Sequence, residues 1–116
     1  LLLVLGLTLL VVQPAFAAEP KTVKFIELPL ALQQVALCES GADQHKDNGK
    51  LIRSHTNDVG IMQINLKVHF KYATENGFDI YSPNGNMAYG LWLWRKHGLA
   101  PWYSSRACWK KHLAVL

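Results

Sequence analysis

Apolar side chains crowd residues 1–12 almost without a break, and from there on they fall into shorter stretches separated by glycine, proline and polar runs. Small residues at Ala15 and Ala17 follow the opening run and form an A-x-A cleavage signal. Residues 1–17 therefore read as a secretory signal peptide cut after Ala17. The run is short for a membrane span, which needs about 20 apolar residues. A membrane anchor stays open as the alternative, because the sequence starts at Leu1 and shows no basic segment before the run. Residues 18–27 are polar and mixed and read as an extended lead-in, leaving 28–116 as one domain.

Within that domain the apolar spacing is mostly helical. Leu32, Val35, Ala36 and Glu39 recur at intervals of three and four, so residues 29–39 read as an amphipathic helix with Pro29 in its first turn. Ser40-Gly41 ends it, and Glu39 falls in the last turn beside the apolar stripe. Residues 42–58 are polar with no helical period and read as loop, with a short hairpin near Asp47-Asn48-Gly49. Residues 59–64, apolar apart from Gln63, read as irregular or briefly extended. Asn65 is a good N-cap for a helix whose face carries Leu66, Val68, Phe70, Tyr72 and Ala73 and which stops at Asn76-Gly77. Ser82-Pro83 starts the next helix, although Gly85 leaves its capping box incomplete. Met87, Ala88, Leu91, Trp92 and Trp94 make that helix apolar on several sides and predict burial, and Gly98 closes it. Pro101-Trp102 opens a last short segment through Cys108 and Trp109. The fold class expected is mainly α, a small helical domain with a loop or short hairpin region.

Composition narrows this picture. With 116 residues, half of them hydrophobic, the chain holds one small packed domain and is not disordered. The formal net charge is +4, and Lys and Arg cluster only at Arg95-Lys96 and Lys110-Lys111. No basic stripe with interleaved aromatics is present, which argues against a nucleic-acid partner. For an exported protein the positive balance suits an anionic partner such as the bacterial cell wall, and a merely soluble basic surface fits the charge equally well. Export also places the two cysteines, Cys38 and Cys108, in an oxidising compartment, so one disulfide between them is expected. Two free buried thiols are the alternative. Such a bridge would close most of the domain into one loop, worth roughly 4 kcal/mol in the chain-entropy description. It would also fix the segment that carries Glu39. His45, His55, His69, His97 and His112 are scattered without ligand spacing, no cysteine pair has metal spacing, and neither metal nor cofactor is expected.

Glu39 is the candidate for chemistry. A glutamate at a helix end is usually a surface or paired residue. Here a cysteine precedes it as an anchor, Ser40-Gly41 opens the backbone after it, and Gly60-Ile61-Met62-Gln63-Ile64-Asn65 offers a glycine and two side-chain amides suited to an N-acetyl sugar. Burial against apolar neighbours raises a carboxyl pKa, so the group stays protonated and can donate to a leaving oxygen.

Glu39-Ser40-Gly41, the Gly60–Asn65 run, Asn86 and a helix ending at Gly98 resemble the lysozyme-like superfamily, and most of all the soluble lytic transglycosylase domain. Cys38-Glu39-Ser40-Gly41 with a late Trp and Cys108 is similar to the resuscitation-promoting-factor pattern, in which a disulfide joins the corresponding positions. The resemblance covers residues 28–109. It implies a lysozyme-like α+β domain in which the loop or hairpin region forms one wall of a substrate cleft. It implies that Glu39 is the catalytic acid/base, protonating the β-1,4 glycosidic oxygen between N-acetylmuramic acid and N-acetylglucosamine. As base it would then take the muramoyl C6 hydroxyl proton to close a 1,6-anhydro ring. By the same resemblance Ser40, Gly60, Met62, Gln63, Asn65, Asn86 and Trp102 are the expected substrate-binding residues, with a structural role at the helix start the alternative for Asn86, peptidoglycan strands the partner, and the protein an exported monomer that meets a membrane only through its leader.

Asp58 lies just before the glycine, where animal-type lysozymes carry a second carboxylate. A retaining hydrolase needs two carboxyls about 5 Å apart and an inverting one a wider gap, so Asp58 opens a hydrolytic alternative. An Asp that caps a turn or pairs with a Lys or Arg is the plain alternative to that. The transglycosylase Ala-Tyr-Asn motif is absent, and Ala88-Tyr89-Gly90 does not replace it. Its tyrosine role is open to Trp102, Tyr103 or Tyr89, with Trp102 as simple core packing the competing use. The missing motif and small size also leave room for a non-catalytic wall-binding module.

Overall fold

Backbone geometry at Gly41 closes the first helix. The computed structural model describes residue 6 and residues 18–114. Helix α1 spans Leu30–Ser40, and Gly41 follows it in the left-handed region at φ 69°, its N–H returning to the Ala36 and Leu37 carbonyls. A glycine adopts this conformation without the penalty a β-carbon brings. Pro29 stands at the N-cap rather than inside the first turn, so the helix begins one residue later than the proline signal suggests. Leu32, Val35 and Ala36 are the buried face, as the spacing predicts.

The polar segment after α1 is more ordered than a loop. Lys46 N–H bonds to Lys50 O and Gly49 N–H to Lys46 O, so the turn expected near Asp47-Asn48-Gly49 is present and draws His45 opposite Leu51. A second antiparallel pair follows, β1 at Asp58–Val59 and β2 at Ile64–Asn65, with Asp58 opposite Asn65 and Val59 opposite Ile64. The stretch between them is a tight turn over Gly60 to Gln63.

Helix α2, Leu66–Glu75, starts at Asn65, whose side chain accepts from Val68 N–H at 3.1 Å. Its expected apolar face is corrected: only Ala73 is buried, whereas Val68 is 70 % exposed and Phe70 and Tyr72 also face outward. Phe70 packs beside Tyr81, and Tyr72 stacks on Trp92. Helix α3, Pro83–His97, takes Ser82 as its cap through Gly85 N–H at 3.1 Å. It is the central element, burying residues 85–91 and Leu93. A 3-10 segment, Ala100–Ser105, leads into α4, Arg106–Leu113. Cys38 and Cys108 are bonded, with Cα atoms 5.9 Å apart, and so join α1 to α4.

The described chain is thus mainly α with one small two-stranded sheet. Residues 18–27 do not form a free tether. Val23 is buried and its N–H bonds to Asn84 O, Glu19 pairs with Arg95 at 2.8 Å, and Phe25–Glu27 makes a single 3-10 turn. Among the described residues no helix is long and apolar enough to cross a membrane. Apart from Gly6, the expected leader 1–17 lies outside the described residues.

Candidate active site

Glu39 lies in the last turn of α1, half-buried, between two cross-chain attachments. On one side Cys38 is bonded to Cys108 of α4. On the other, Ser40 Oγ donates to Ile61 O at 2.7 Å and to its own helix at Ala36 O at 3.2 Å, fastening the helix end to the Gly60–Gln63 turn. The carboxylate itself accepts from Ser105 Oγ at 2.6 Å. Burial pushes the Glu39 pKa above its ordinary value of 4.5; the Ser105 hydrogen bond works against this, and the charge of Asp58 adds to the rise.

Asp58 is built to stay ionised. Its carboxylate accepts from Ser54 Oγ at 2.7 Å, from Asn65 Nδ2 at 2.9 Å and from the Thr56 hydroxyl. Burial alone would raise its pKa, but the Thr56, Ser54 and Asn65 hydrogen bonds, with the charge of His55, hold it below the usual 3.8. No Lys or Arg among the described residues forms a salt bridge with it. The two environments thus move the carboxyls in opposite directions, Glu39 up and Asp58 down.

The turn between the strands is held from inside. Gly60, at φ 76°, packs so closely on the amides of Gln44 and Asn86 that a β-carbon there would overlap both. Asn86 Oδ1 accepts from Met62 N–H at 2.8 Å, and its Nδ2 donates to Val59 O and Ile80 O, each at 2.9 Å. Gln44 Oε1 accepts from Ile61 N–H at 2.9 Å, and its Nε2 donates to the Ile80 and Tyr81 carbonyls. Trp102 Nε1 donates to Met62 O at 2.8 Å.

These contacts correct several expected roles. Met62 and Asn86 are 0 % exposed and Trp102 is 2 % exposed, so their side chains are core and scaffold, not surfaces a glycan can touch. Gly60 turns its α-carbon toward buried amides rather than a ligand. Ser40 is occupied by two carbonyls, and Asn65 caps α2 while bonding to Asp58 and to Thr56 O at 3.0 Å. Gln63 keeps a half-exposed side chain whose Nε2 bonds to Gly60 O at 3.0 Å, on a backbone at φ 49°. Of the predicted set, Glu39, Asp58, Ser40, Asn65 and the Gly60–Gln63 turn are brought together, most of them as support. Tyr89 does not serve Glu39, since its hydroxyl meets His69 Nδ1 at 3.0 Å and burial pushes its pKa up to about 12. Burial moves the His69 pKa the other way, below its ordinary value, with the charge of His97 adding to the effect.

Ser105 and Gln44 carry no signal in the sequence. Each is a lone polar residue that acts across the chain, Ser105 on Glu39 and Gln44 on Ile61 and Ile80. A hollow of about 310 Å³ lies between α2 and residues 77–81, and another of about 670 Å³ lies along α4; Glu39 lines neither. Among the described residues no three His, Cys, Asp or Glu side chains gather as a metal site. Comparison with family models, curated proteins and solved structures finds no match for the chain.

Replacing Ser105 by alanine gives a direct reading of the site's electrostatics. The Ser105 hydrogen bond favours the ionised form of Glu39, so Ser105→Ala raises the Glu39 pKa further. Direct titration of the Glu39 carboxyl by NMR checks this. A downward or absent displacement would contradict the opposition of burial and hydrogen bonding at this carboxyl.

Proposed function

We propose that the chain is an exported lytic transglycosylase that cleaves the β-1,4 bond between N-acetylmuramic acid and N-acetylglucosamine in peptidoglycan, with Glu39 as its acid and base. One observation carries this reading: a half-buried carboxyl of raised pKa, anchored on both sides at the end of α1 and hydrogen-bonded by Ser105. A group with these properties holds its proton at pH values where an exposed glutamate has lost it. Glu39 gives this proton to the glycosidic oxygen as the bond to the muramoyl C1 breaks. The resulting carboxylate takes the C6 hydroxyl proton as O6 bonds to C1, so the acid is regenerated and no water is consumed. The lysozyme-like resemblance of Glu39-Ser40-Gly41 and the Gly60–Asn65 run supports the substrate class, and the Cys38–Cys108 disulfide supports an oxidising, exported location.

A second reading is favoured by Asp58. One carboxyl with a raised pKa and a second with a lowered one is the pairing a glycoside hydrolase uses, the charged partner stabilising or attacking the sugar cation. Mass spectrometry of digested peptidoglycan separates the two. Transglycosylation leaves 1,6-anhydro-muramoyl ends, lighter by one water than the reducing ends of hydrolysis. The variant Asp58→Asn is expected to lose less than about 10-fold in rate if the anhydro product is right, and roughly 10²-fold or more if Asp58 takes part in bond making. Muropeptide binding without either product would make the chain a non-catalytic wall-binding module.

A further inference from the structure

Helix α4 carries a second surface of defined chemistry, away from Glu39. Leu99, Tyr103, Arg106, Trp109 and Lys110 line a groove of about 670 Å³. Tyr103, more than half exposed, lies nearly parallel to the indole of Trp109, with ring centres 6.4 Å apart and planes 10° from coplanar. Arg106 places its guanidinium 5.8 Å from the Tyr103 ring centre and spends one N–H on Tyr103 O at 3.1 Å. Arg106 and Lys110 are four residues apart, so they stand one above the other on one helix face. Neither forms a salt bridge with any described carboxylate. A flat apolar ring beside two cations without a carboxylate partner is a combination that receives a ring-shaped anionic ligand, the apolar face on the aromatic and the anion on the fork of the arginine.

We infer that this groove is an accessory subsite for a carboxylate-bearing sugar of the glycan, the muramoyl unit with its lactyl group or the acidic peptide stem attached to it. The inference rests on the peptidoglycan reading of Glu39. Ser105 connects the two places. It directs its hydroxyl at Glu39, while its neighbour Arg106 and the nearby Tyr103 line the groove. Glu39 does not line the groove, so a group seated there is held apart from the bond-cleaving carboxyl. The subsite therefore selects for acidic glycan over neutral glycan of the same length.

Binding to Glu39→Gln protein tests this without turnover. The probes are a neutral N-acetylglucosamine oligomer, an N-acetylglucosamine–N-acetylmuramic acid oligomer of equal length without peptides, and the same oligomer with stems. The acidic oligomers are expected to bind about 10-fold more tightly than the neutral one, and the double change Arg106→Gln/Lys110→Gln is expected to erase that preference while leaving neutral binding unchanged. A preference confined to the stem-bearing probe assigns the anion to the peptide; a preference already present without stems assigns it to the lactyl group. Equal binding of all probes, or a preference that survives the double change, overturns the subsite while leaving glycan binding at Glu39 intact. No binding of any probe overturns both. Far-UV circular dichroism of the double variant establishes that it is folded, as exposed substitutions on α4 should be.

Discussion

Glu39→Gln is expected to abolish wall lysis, lowering the rate by roughly 10²- to 10⁴-fold, the span that a positioned general acid contributes. The amide is nearly the same size and keeps an oxygen able to accept from Ser105 Oγ, so the neighbouring geometry should persist. What disappears is the proton. Stability should move the other way. Burial raises the Glu39 pKa in the folded chain above the unfolded value, so the protonated form favours folding. That contribution is complete below the unfolded pKa and is lost as pH rises through the folded pKa. Above the folded pKa, wild type carries a half-buried charge, offset in part by Ser105, that the glutamine variant lacks. The variant should unfold at equal or higher urea concentration there, and the difference should vanish in acid below the ordinary carboxyl range. Turbidity loss of purified peptidoglycan measures the first effect, and urea melts at two pH values measure the second. Lysis that survives the substitution removes both enzymatic readings.

How far this site could be read from sequence depends on how local its determinants are. The place of Glu39 was legible because helical spacing over Leu32, Val35 and Ala36, with Ser40-Gly41 after it, fixes a helix end within a few residues. The Asn65 and Ser82 caps and the 46–49 turn are local in the same sense, and each is present. The α2 face was misread because periodicity says which side of a helix is apolar but not whether anything covers it. Ala73 is the one buried side chain of α2, Leu66 packs against the core only partly buried, and Val68 stands out in solvent. Trp102 takes the core-packing use weighed for it, and Asn86 departs from its expected ligand role for a related reason. A polar residue in a ligand-like motif serves backbone carbonyls and N–H groups just as well as sugar hydroxyls, and Asn86 serves three of them. Ser105 and Gln44 left no local trace at all. Ser105 is 66 positions from Glu39 and Gln44 is 36 from Ile80, and a lone serine or glutamine has no periodicity to betray its partner.

Removing the crosslink should be the most damaging change to the fold. Cys38 and Cys108 close a loop of 70 positions, and cutting it returns to the unfolded chain the freedom that the bond withholds. For a loop of this length the chain-entropy description gives a loss of roughly 4 kcal/mol, a large share of the 5–15 kcal/mol typical of a whole domain. The double variant Cys38→Ser/Cys108→Ser should show this as a large fall in urea midpoint, and reduction of the native protein by dithiothreitol should reproduce it. The consequence for the site is separate. The disulfide holds α1 against α4 one residue before Glu39 and three residues after Ser105, so the 2.6 Å contact between those side chains lies beside the bond that joins their helices. With the bond cut, the Ser105 hydroxyl should no longer be held on the carboxylate. Wherever the reduced protein remains folded, the Glu39 carboxyl should then titrate as in Ser105→Ala, at higher pH than in the oxidised chain. A midpoint loss equivalent to less than about 1 kcal/mol would mean the unfolded chain is already constrained by residual structure. An unchanged Glu39 titration in folded, reduced protein would mean the α1–α4 packing positions Ser105 without help from the bond.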